Sequence, residues 1–144
     1  MIGCKIHHNG ANGCEGGYRG KGTISLQNCE IHNNGANGIR LYNGSEATVV
    51  ACNIHHNQHD GIFLNASTLN VGKSLILQNS RSGIWGEGND TITATQNKIV
   101  GNGDCGIGMQ NGTQGVFTQN ILQNNSNWNI SNSNVRRVNN KPNQ

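Results

Sequence analysis

Short runs in which apolar and polar residues alternate return at a fixed interval along most of this chain. The clearest column of equivalent apolar positions is Ile6, Ile31, Ile54, Ile76, Ile99 and Leu122. These residues are 25, 23, 22, 23 and 23 positions apart. A second apolar column follows a glycine in all but the last repeat, and reads Cys14, Ile39, Ile62, Ile84, Ile107 and Ile130. A fixed period of this kind predicts a solenoid whose repeats stack on one another.

The content of each repeat decides which solenoid is expected. Helical repeats need two amphipathic stretches of ten or more residues, and this chain has none. The second repeat instead contains three short alternating runs, at residues 29–31, 38–41 and 47–49, and glycine and asparagine lie between the runs. We therefore predict an all-β, single-stranded parallel β-helix of about six rungs with three short strands per rung. One domain spans residues 1–144, with regular rungs over 4–119 and a degenerate capping rung over 120–144, where Trp128 and Pro142 lie.

An asparagine follows each apolar anchor by three positions. The column is Asn9, Asn34, Asn57, Asn79, Asn102 and Asn125. Because rungs stack about 4.8 Å apart, each amide could donate to the carbonyl on one side and accept from the amide on the other. The sequence therefore predicts a structural asparagine ladder inside the solenoid.

Composition excludes several classes of function. The net charge is +3, only 12% of residues are charged, and the basic residues are scattered, so the chain lacks the basic stripe of a nucleic-acid-binding protein. No secretory apolar segment opens the chain and no run of 18 apolar residues occurs, so no membrane contact is expected. Cys4, Cys29 and Cys52 share one column with parallel side chains, which favours buried thiols over disulfides and a cytoplasmic location. The chain could also be a fragment of a longer protein.

Aligning the repeats predicts one outward face that combines aromatic and charged residues. The strand after each glycine places Arg40, Phe63 and Trp85 in one column, and the next outward column carries Tyr42 and Glu87. The loop before that strand stacks His59, Arg81 and Asp104, with Asp60 beside them. This candidate ligand-binding set comprises Arg40, Tyr42, His59, Asp60, Phe63, Arg81, Trp85, Glu87 and Asp104. Aromatic planes flanked by charged groups suit an extended polysaccharide or a protein segment lying along the solenoid axis.

Two further features suggest weaker hypotheses. His7, His32 and His55 form an outward column about 4.8 Å apart, and three imidazoles could bind zinc. No amphipathic helix or polar strand precedes the first rung to cover its strand edges, so either residues upstream are missing or another chain associates end to end there.

The repeat Asn-x-Ile-x-x-Asn…Gly-Ile-x-Leu resembles the right-handed β-helix repeat of the pectate-lyase-like superfamily over residues 4 to about 130. The resemblance implies a right-handed coil. Mannuronan epimerases and lyases in this superfamily carry a Tyr-Gly-x-Asp-Pro-His-Asp/Glu motif, of which His59 and Asp60 match the His-Asp pair. Pectate lyases place carboxylates around calcium together with an arginine base, and Asp60, Glu87 and Asp104 with Arg81 resemble part of that set.

The resemblance leaves three functions open. The non-catalytic branch, which includes F-box-type and carbohydrate-binding β-helices, implies a binding module without a cofactor. The catalytic branch implies a polysaccharide lyase or uronate epimerase, in which His59 or Arg81 removes the sugar C5 proton and an acid neutralises the uronate, with calcium possible for a lyase. His59, Asp60, Arg81 and Asp104 are then the catalytic candidates. A structural spacer within a larger protein is the third reading. We expect the binding module.

Overall fold

A computed structural model describes residues 1–127, 130–131 and 135–138, and this part of the chain contains eighteen short strands. Sheet 1 consists of β1 (Lys5–His7), β4 (Glu30–His32), β7 (Asn53–His55), β10 (Leu75–Leu77), β13 (Lys98–Val100) and β16 (Ile121–Gln123). Sheet 2 consists of β2 (Cys14–Gly16), β5 (Ile39–Leu41), β8 (Ile62–Leu64), β11 (Ile84–Gly86), β14 (Ile107–Met109) and β17 (Ile130–Ser131). Sheet 3 consists of β3 (Thr23–Gln27), β6 (Glu46–Val50), β9 (Thr68–Gly72), β12 (Thr91–Thr95), β15 (Gln114–Thr118) and β18 (Val135–Val138).

Every strand pairs in parallel with its equivalent one rung away, so the chain winds through the three sheets in turn. Ile31 pairs with Ile6 on one side and with Ile54 on the other, as the repeat spacing predicted. The predicted all-β solenoid with three strands per rung is therefore confirmed. The expected capping rung is described only in part: β17 and β18 continue sheets 2 and 3, while Trp128 and Pro142 lie outside the described residues.

The hydrophobic core is a narrow column enclosed by the three sheets. Alternation places one or two side chains of each strand from β1 to β16 inward, and Ile31, Ile54 and Ile76 are completely buried. Burial weakens at the first rung, where Ile6 and Ile24 are only partly covered. Residues 1–3 run beside the end of β3, with Ile2 bridged to Gln27. The association expected at this end stays a prediction.

The predicted asparagine ladder is confirmed at the corner between sheets 1 and 2, which we call the first corner. Asn57 shows the pattern: its Nδ2 donates to Asn79 Oδ1 at 2.9 Å and to the Ile31 carbonyl at 3.4 Å, and its backbone N–H donates to the same Asn79 oxygen at 3.1 Å. Its own Oδ1 accepts from the backbone N–H and Nδ2 of Asn34. The Asn57 amide thus uses both its donor and its acceptor groups, and its side chain is fully buried.

Three further columns of corner residues also accept backbone hydrogen bonds between rungs, and their side chains are of mixed type. In each, a backbone N–H donates to a side chain on a neighbouring rung. A second column at the first corner contains Asn12, Asn37, Asp60, Ser82 and Cys105. The second corner, between sheets 2 and 3, contains Ser45, Ser67, Asp90 and Thr113. The third corner, between sheets 3 and 1, contains Cys29, Cys52, Ser74, Asn97 and Asn120. Buried corner backbone is thereby satisfied along the solenoid.

The glycine before each of the strands β2, β5, β8 and β11 is required by close packing between rungs. A Cβ on Gly61 would lie 2.6 Å from the Gly83 carbonyl oxygen, 2.8 Å from Ile76 Cγ2 and 2.9 Å from Asn79 Nδ2. All three atoms belong to the next rung and none is the end of a flexible side chain. We expect Gly61→Ala to lower the free energy of unfolding by about 2 kcal/mol through overpacking, measured by urea denaturation.

Gly88 provides the matched control, because a Cβ there would have nothing within 4 Å. Gly88→Ala should therefore leave the urea midpoint close to that of the parent chain. Equal midpoints for the two variants would show that the rung spacing is loose enough to admit a methyl group at Gly61.

Candidate functional site

The outer face of sheet 2 carries the predicted column of aromatic and charged residues. Arg40 pairs in register with Glu15 on one side and Phe63 on the other, and Trp85 pairs with Phe63 and Gly108. Strand alternation points these five residues away from the core. We call Arg40, Tyr42, Phe63 and Trp85 the aromatic face.

Arg40 connects two of the aromatic rings. Its guanidinium carbon lies 5.1 Å from the Tyr42 ring centroid and 5.7 Å from that of Phe63, within the range of cation–π contacts. The Tyr42 hydroxyl donates to Glu15 Oε1 at 2.5 Å, and Asn12 Nδ2 donates to Glu15 Oε2 at 2.6 Å. The Glu15 hydrogen bond raises the pKa of Tyr42, so this hydroxyl stays protonated as a donor at neutral pH.

Trp85 extends the face by one rung because Gly108 has no side chain. A Cβ on Gly108 would lie 2.1 Å from Trp85 Cε3 and 2.3 Å from Cζ3. The indole therefore lies over the backbone of the neighbouring strand, and Gly108 is buried beneath it. Trp85 itself remains partly exposed. The aromatic face thus spans residues from three successive rungs.

The charged residues at the first corner also stack as predicted. The His59 carbonyl accepts from the Arg81 backbone N–H, and the Arg81 carbonyl accepts from the Asp104 N–H, both at 3.1 Å. His59 and Arg81 are exposed and Asp104 is half-buried. Asp104 Oδ1 accepts from Asn127 Nδ2 at 2.9 Å, so this carboxylate is directed towards the following rung. Glu87 is exposed beyond the end of β11.

Asp60 differs from the rest of the predicted ligand-binding set. Its side chain is only 3% exposed, and its Oδ1 accepts from the Ser82 backbone N–H at 2.9 Å. Burial is the main cause of the raised pKa of this carboxyl group. Asp60 thus has a structural partner within the second corner column, whereas His59 next to it faces solvent.

The predicted histidine column exists but is not arranged around a metal position. The rings of His7, His32 and His55 stack with centroids 4.9 Å apart and interplanar angles of 14° and 2°, so their nitrogens do not converge. The Nδ1 atoms of His7 and His55 instead contact His8 and His56 at 2.7 and 2.8 Å. Burial lowers the pKa of His55 although Glu30 lies 3.3 Å away. Within the described residues, no group of three or more His, Cys, Asp or Glu could hold a metal ion.

The cysteines form no disulfide, as the parallel side chains predicted. In the third corner column, Cys52 Sγ accepts from the Cys29 backbone N–H, while the Cys29 thiol donates to the Gln27 carbonyl. Burial raises the pKa of Cys14 to about 11. Burial also raises the pKa of Cys52, so the Cys14 and Cys52 thiols are protonated packing groups at neutral pH. The cytoplasmic location that the cysteines favoured stays a prediction. Among the described residues, no helix has the length and apolar character of a membrane-spanning segment.

The alignment of the repeats did not predict the part of the site that the first rung forms. Asn12 and Glu15 hold the Tyr42 hydroxyl in place, yet the first rung is two residues longer than its neighbours and breaks the alignment of columns. The pairing of Glu15 with Arg40 was the sequence signal that could have revealed this part of the site, because an outward acid and an outward base on adjacent rungs lie side by side.

Comparison with solved structures finds proteins that share this fold at low sequence identity. The periplasmic alginate epimerase AlgG superposes with a TM-score of 0.73 at 19% identity, covering 98% of this chain and 40% of that one. The pectate lyase Pel9A gives a TM-score of 0.70 at 14% identity, covering 96% and 50%. The A-module of the Azotobacter vinelandii mannuronan C-5 epimerase AlgE4 gives 0.60 at 13% identity, covering 96% and 52%. This chain therefore spans about two fifths to one half of the length of these proteins.

A match to a family model identifies the family of this chain. No curated protein matches it. The model described as a right handed beta helix region matches residues 1–141, nearly the entire sequence. The handedness that the repeat resemblance implied is consistent with this match. The chain therefore belongs to the right-handed β-helix family.

Proposed function

We propose that this protein is a binding module that holds an extended polysaccharide on the aromatic face of sheet 2. The observation that supports this proposal is the row of Arg40, Tyr42, Phe63 and Trp85 on successive rungs. Sugar rings present flat patches of C–H groups that pack against aromatic faces, and the hydroxyl groups around those patches need polar partners. Parallel rungs repeat every 4.8 Å or so, so a polymer along the axis meets a similar surface at each step.

The surroundings of the aromatic face supply polar partners at both edges. His59 and Arg81 are exposed at the first corner, and Asn65 and Glu87 are exposed at the second. Arg40 is already oriented by Tyr42 and Phe63, so it loses little conformational freedom when it contacts a carboxylate or hydroxyl group. Mixed charges at these edges would fix the orientation of the sugar chain.

We expect Trp85→Ala to weaken binding of the preferred polysaccharide about tenfold, which corresponds to about 1.4 kcal/mol. The indole is the largest exposed planar group on the face, and its removal also uncovers Gly108. Isothermal titration calorimetry with oligosaccharides of mannuronate, guluronate, galacturonate and glucose would identify the ligand class and measure the loss.

Val116 supplies the control, since it is an exposed apolar residue on sheet 3, away from the aromatic face. Val116→Ala should bind as the parent chain does. A parent chain that binds none of these oligosaccharides would contradict the proposal and favour a structural spacer.

A polysaccharide lyase or uronate epimerase is the second candidate, because the similar solved structures include enzymes of both kinds. In such an enzyme, His59 or Arg81 would remove the C5 proton of a bound uronate. A lyase releases an unsaturated product that absorbs in the ultraviolet, and an epimerase exchanges the C5 proton with solvent deuterium. Alginate and polygalacturonate should be tested with and without calcium. Turnover that is lost in both His59→Ala and Arg81→Ala would replace the binding module with this candidate.

A further inference from the structure

A groove of about 1190 Å³ runs along the third corner, on the far side of the solenoid from the aromatic face. It extends from Gly3 in the first rung to Ile121 in the last, with the turn residues on one side and the first residue of each sheet 1 strand on the other. Six rungs about 4.8 Å apart give it a length of about 24 Å. An extended peptide of eight residues has nearly the same length, at about 3.3 Å per residue, and about three of its residues span the part from Lys73 to Ile121.

The two halves of this third-corner groove differ in charge pairing. In the first half, the Lys5 ammonium group lies 3.2 Å from Glu30 Oε2, and Glu30 Oε1 also contacts His55. Lys21, outside the groove, lies 2.7 Å from Glu46. Lys73 and Lys98 line the second half, and neither has a carboxylate within ion-pair distance among the described residues. Lys73 and Lys98 are the lysines of the described residues that have no carboxylate partner, and both therefore lie on one surface.

The same half of the groove borders an apolar patch on the outer face of sheet 1. Outward positions there are Leu75, Leu77, Val100 and Ile121, all half-buried. Leu77 pairs with Val100, while Lys98 lies between Leu75 and Ile121 in register. The corresponding positions of the earlier rungs are polar, among them Glu30, His32 and Asn53. An outward apolar patch with a polar rim is typical of a site where another molecule binds.

The lining chemistry distinguishes this groove from the aromatic face. No aromatic side chain lines it among the described residues, so it offers no flat ring against which a sugar could pack. Its apolar contacts are aliphatic, and its unneutralised charges are compact ammonium groups that attract carboxylates. Leu75 and Ile121 suit aliphatic side chains of a partner, and Lys73 and Lys98 suit acidic residues between them.

We propose that the third-corner groove between Lys73 and Ile121 binds an extended protein segment in which acidic residues alternate with aliphatic ones. Carboxylates of this segment pair with Lys73 and Lys98, while its aliphatic side chains cover Leu75 and Ile121. The segment lies along the solenoid axis and crosses the strands of sheet 1. The chain thus has a protein-binding surface separate from the aromatic face.

The test uses a fluorescein-labelled peptide of four Leu-Glu repeats, with peptides of four Ser-Glu and four Leu-Lys repeats as controls. Fluorescence anisotropy should show the Leu-Glu peptide binding at least tenfold more tightly than either control. The double variant Lys73→Glu/Lys98→Glu should weaken binding of the Leu-Glu peptide at least tenfold. Arg19→Glu/Lys21→Glu makes the same change in net charge at exposed positions outside the groove and should bind as the parent does.

Amide chemical shifts of the ¹⁵N-labelled chain locate the contact independently of affinity. Addition of the Leu-Glu peptide should shift the amide signals of residues 73–77 and 98–100 and leave those of β5 and β8 unchanged. Equal weakening in the two double variants would show that only net charge attracts the peptide, and would overturn the proposal. Absence of peptide binding at millimolar concentration, or shifts of the same amides by tetragalacturonate but not by the peptide, would also overturn it.

Discussion

Asn57→Asp is expected to lower the free energy of unfolding by about 4 kcal/mol at neutral pH, because it places an unpaired charge within the core. The Asn57 amide donates to Asn79 Oδ1 and to the Ile31 carbonyl. An ionised carboxylate cannot donate, so both acceptors would face a negative oxygen at about 3 Å. The site is fully buried, which leaves no route for water to compensate.

The pH dependence of the loss separates a charge effect from a packing effect. In the folded chain the introduced carboxyl group is held among acceptors, so its pKa lies above the unfolded value of about 3.9. A raised folded pKa favours the folded state at low pH, and this contribution disappears as the pH rises through the folded pKa. The difference in stability between Asn57→Asp and the parent should therefore be smaller at pH 4 than at pH 7, as measured by urea denaturation.

Asn70→Asp is the control for the same chemical change at an exposed position of sheet 3. It should change the urea midpoint little at either pH. If Asn57→Asp and Asn70→Asp unfold at the same urea concentration at pH 7, the ladder does not depend on amide donors.

The period of the sequence was sufficient to predict the fold because a stacked coil repeats its environment exactly once per rung. Any residue that must be buried recurs at that interval, as in Ile31, Ile54 and Ile76. Register then follows without further information, since a one-residue slip would turn those isoleucines outward. The neighbours of Phe63 on sheet 2 were predictable for this reason.

The hydrogen-bonding role of three of the four corner columns was not predicted, because their members share a function without sharing an identity. Asn37, Asp60 and Ser82 all present an oxygen to a backbone N–H of the next rung. A search for repeated residue types finds an asparagine ladder and passes over such a mixed column. Asp60 was for this reason included in a ligand-binding set, although its side chain is enclosed by the corner that it stabilises.

An alignment of the repeats also could not predict the conformations of surface side chains. The register places Trp85 next to Gly108, but only the structure shows the indole lying across that glycine. Equivalent reasoning applies to the histidine column, where equal spacing allowed converging nitrogens or parallel rings. Parallel stacking resulted because each Nδ1 of His7 and His55 finds its partner in the next residue of the chain.

The second corner contains a buried carboxylate whose removal should have an effect as large as that of Asn57→Asp. Asp90 is 1% exposed. Its Oδ1 accepts from the Ser67 backbone N–H at 2.8 Å, and its Oδ2 accepts from the Gly88 N–H and the Thr113 hydroxyl group, both at 3.0 Å. The residue therefore joins three rungs of the chain. No lysine, arginine or histidine lies within ion-pair distance in the described residues, so these donors provide its stabilisation.

We expect Asp90→Ala to lower the free energy of unfolding by about 4 kcal/mol, because three donors lose their acceptor and each lost partner costs about 1–3 kcal/mol. Asp90→Asn should lose less than Asp90→Ala, since its remaining oxygen keeps the Ser67 bond while its amide faces the other two donors. Asp104→Ala is the matched control, as this half-buried aspartate on the next rung accepts from Asn127 near the surface. The urea midpoint should be highest for Asp104→Ala, lower for Asp90→Asn and lowest for Asp90→Ala. If the two alanine variants unfold together, Asp90 contributes no more than a surface carboxylate, and the second corner is held by packing alone.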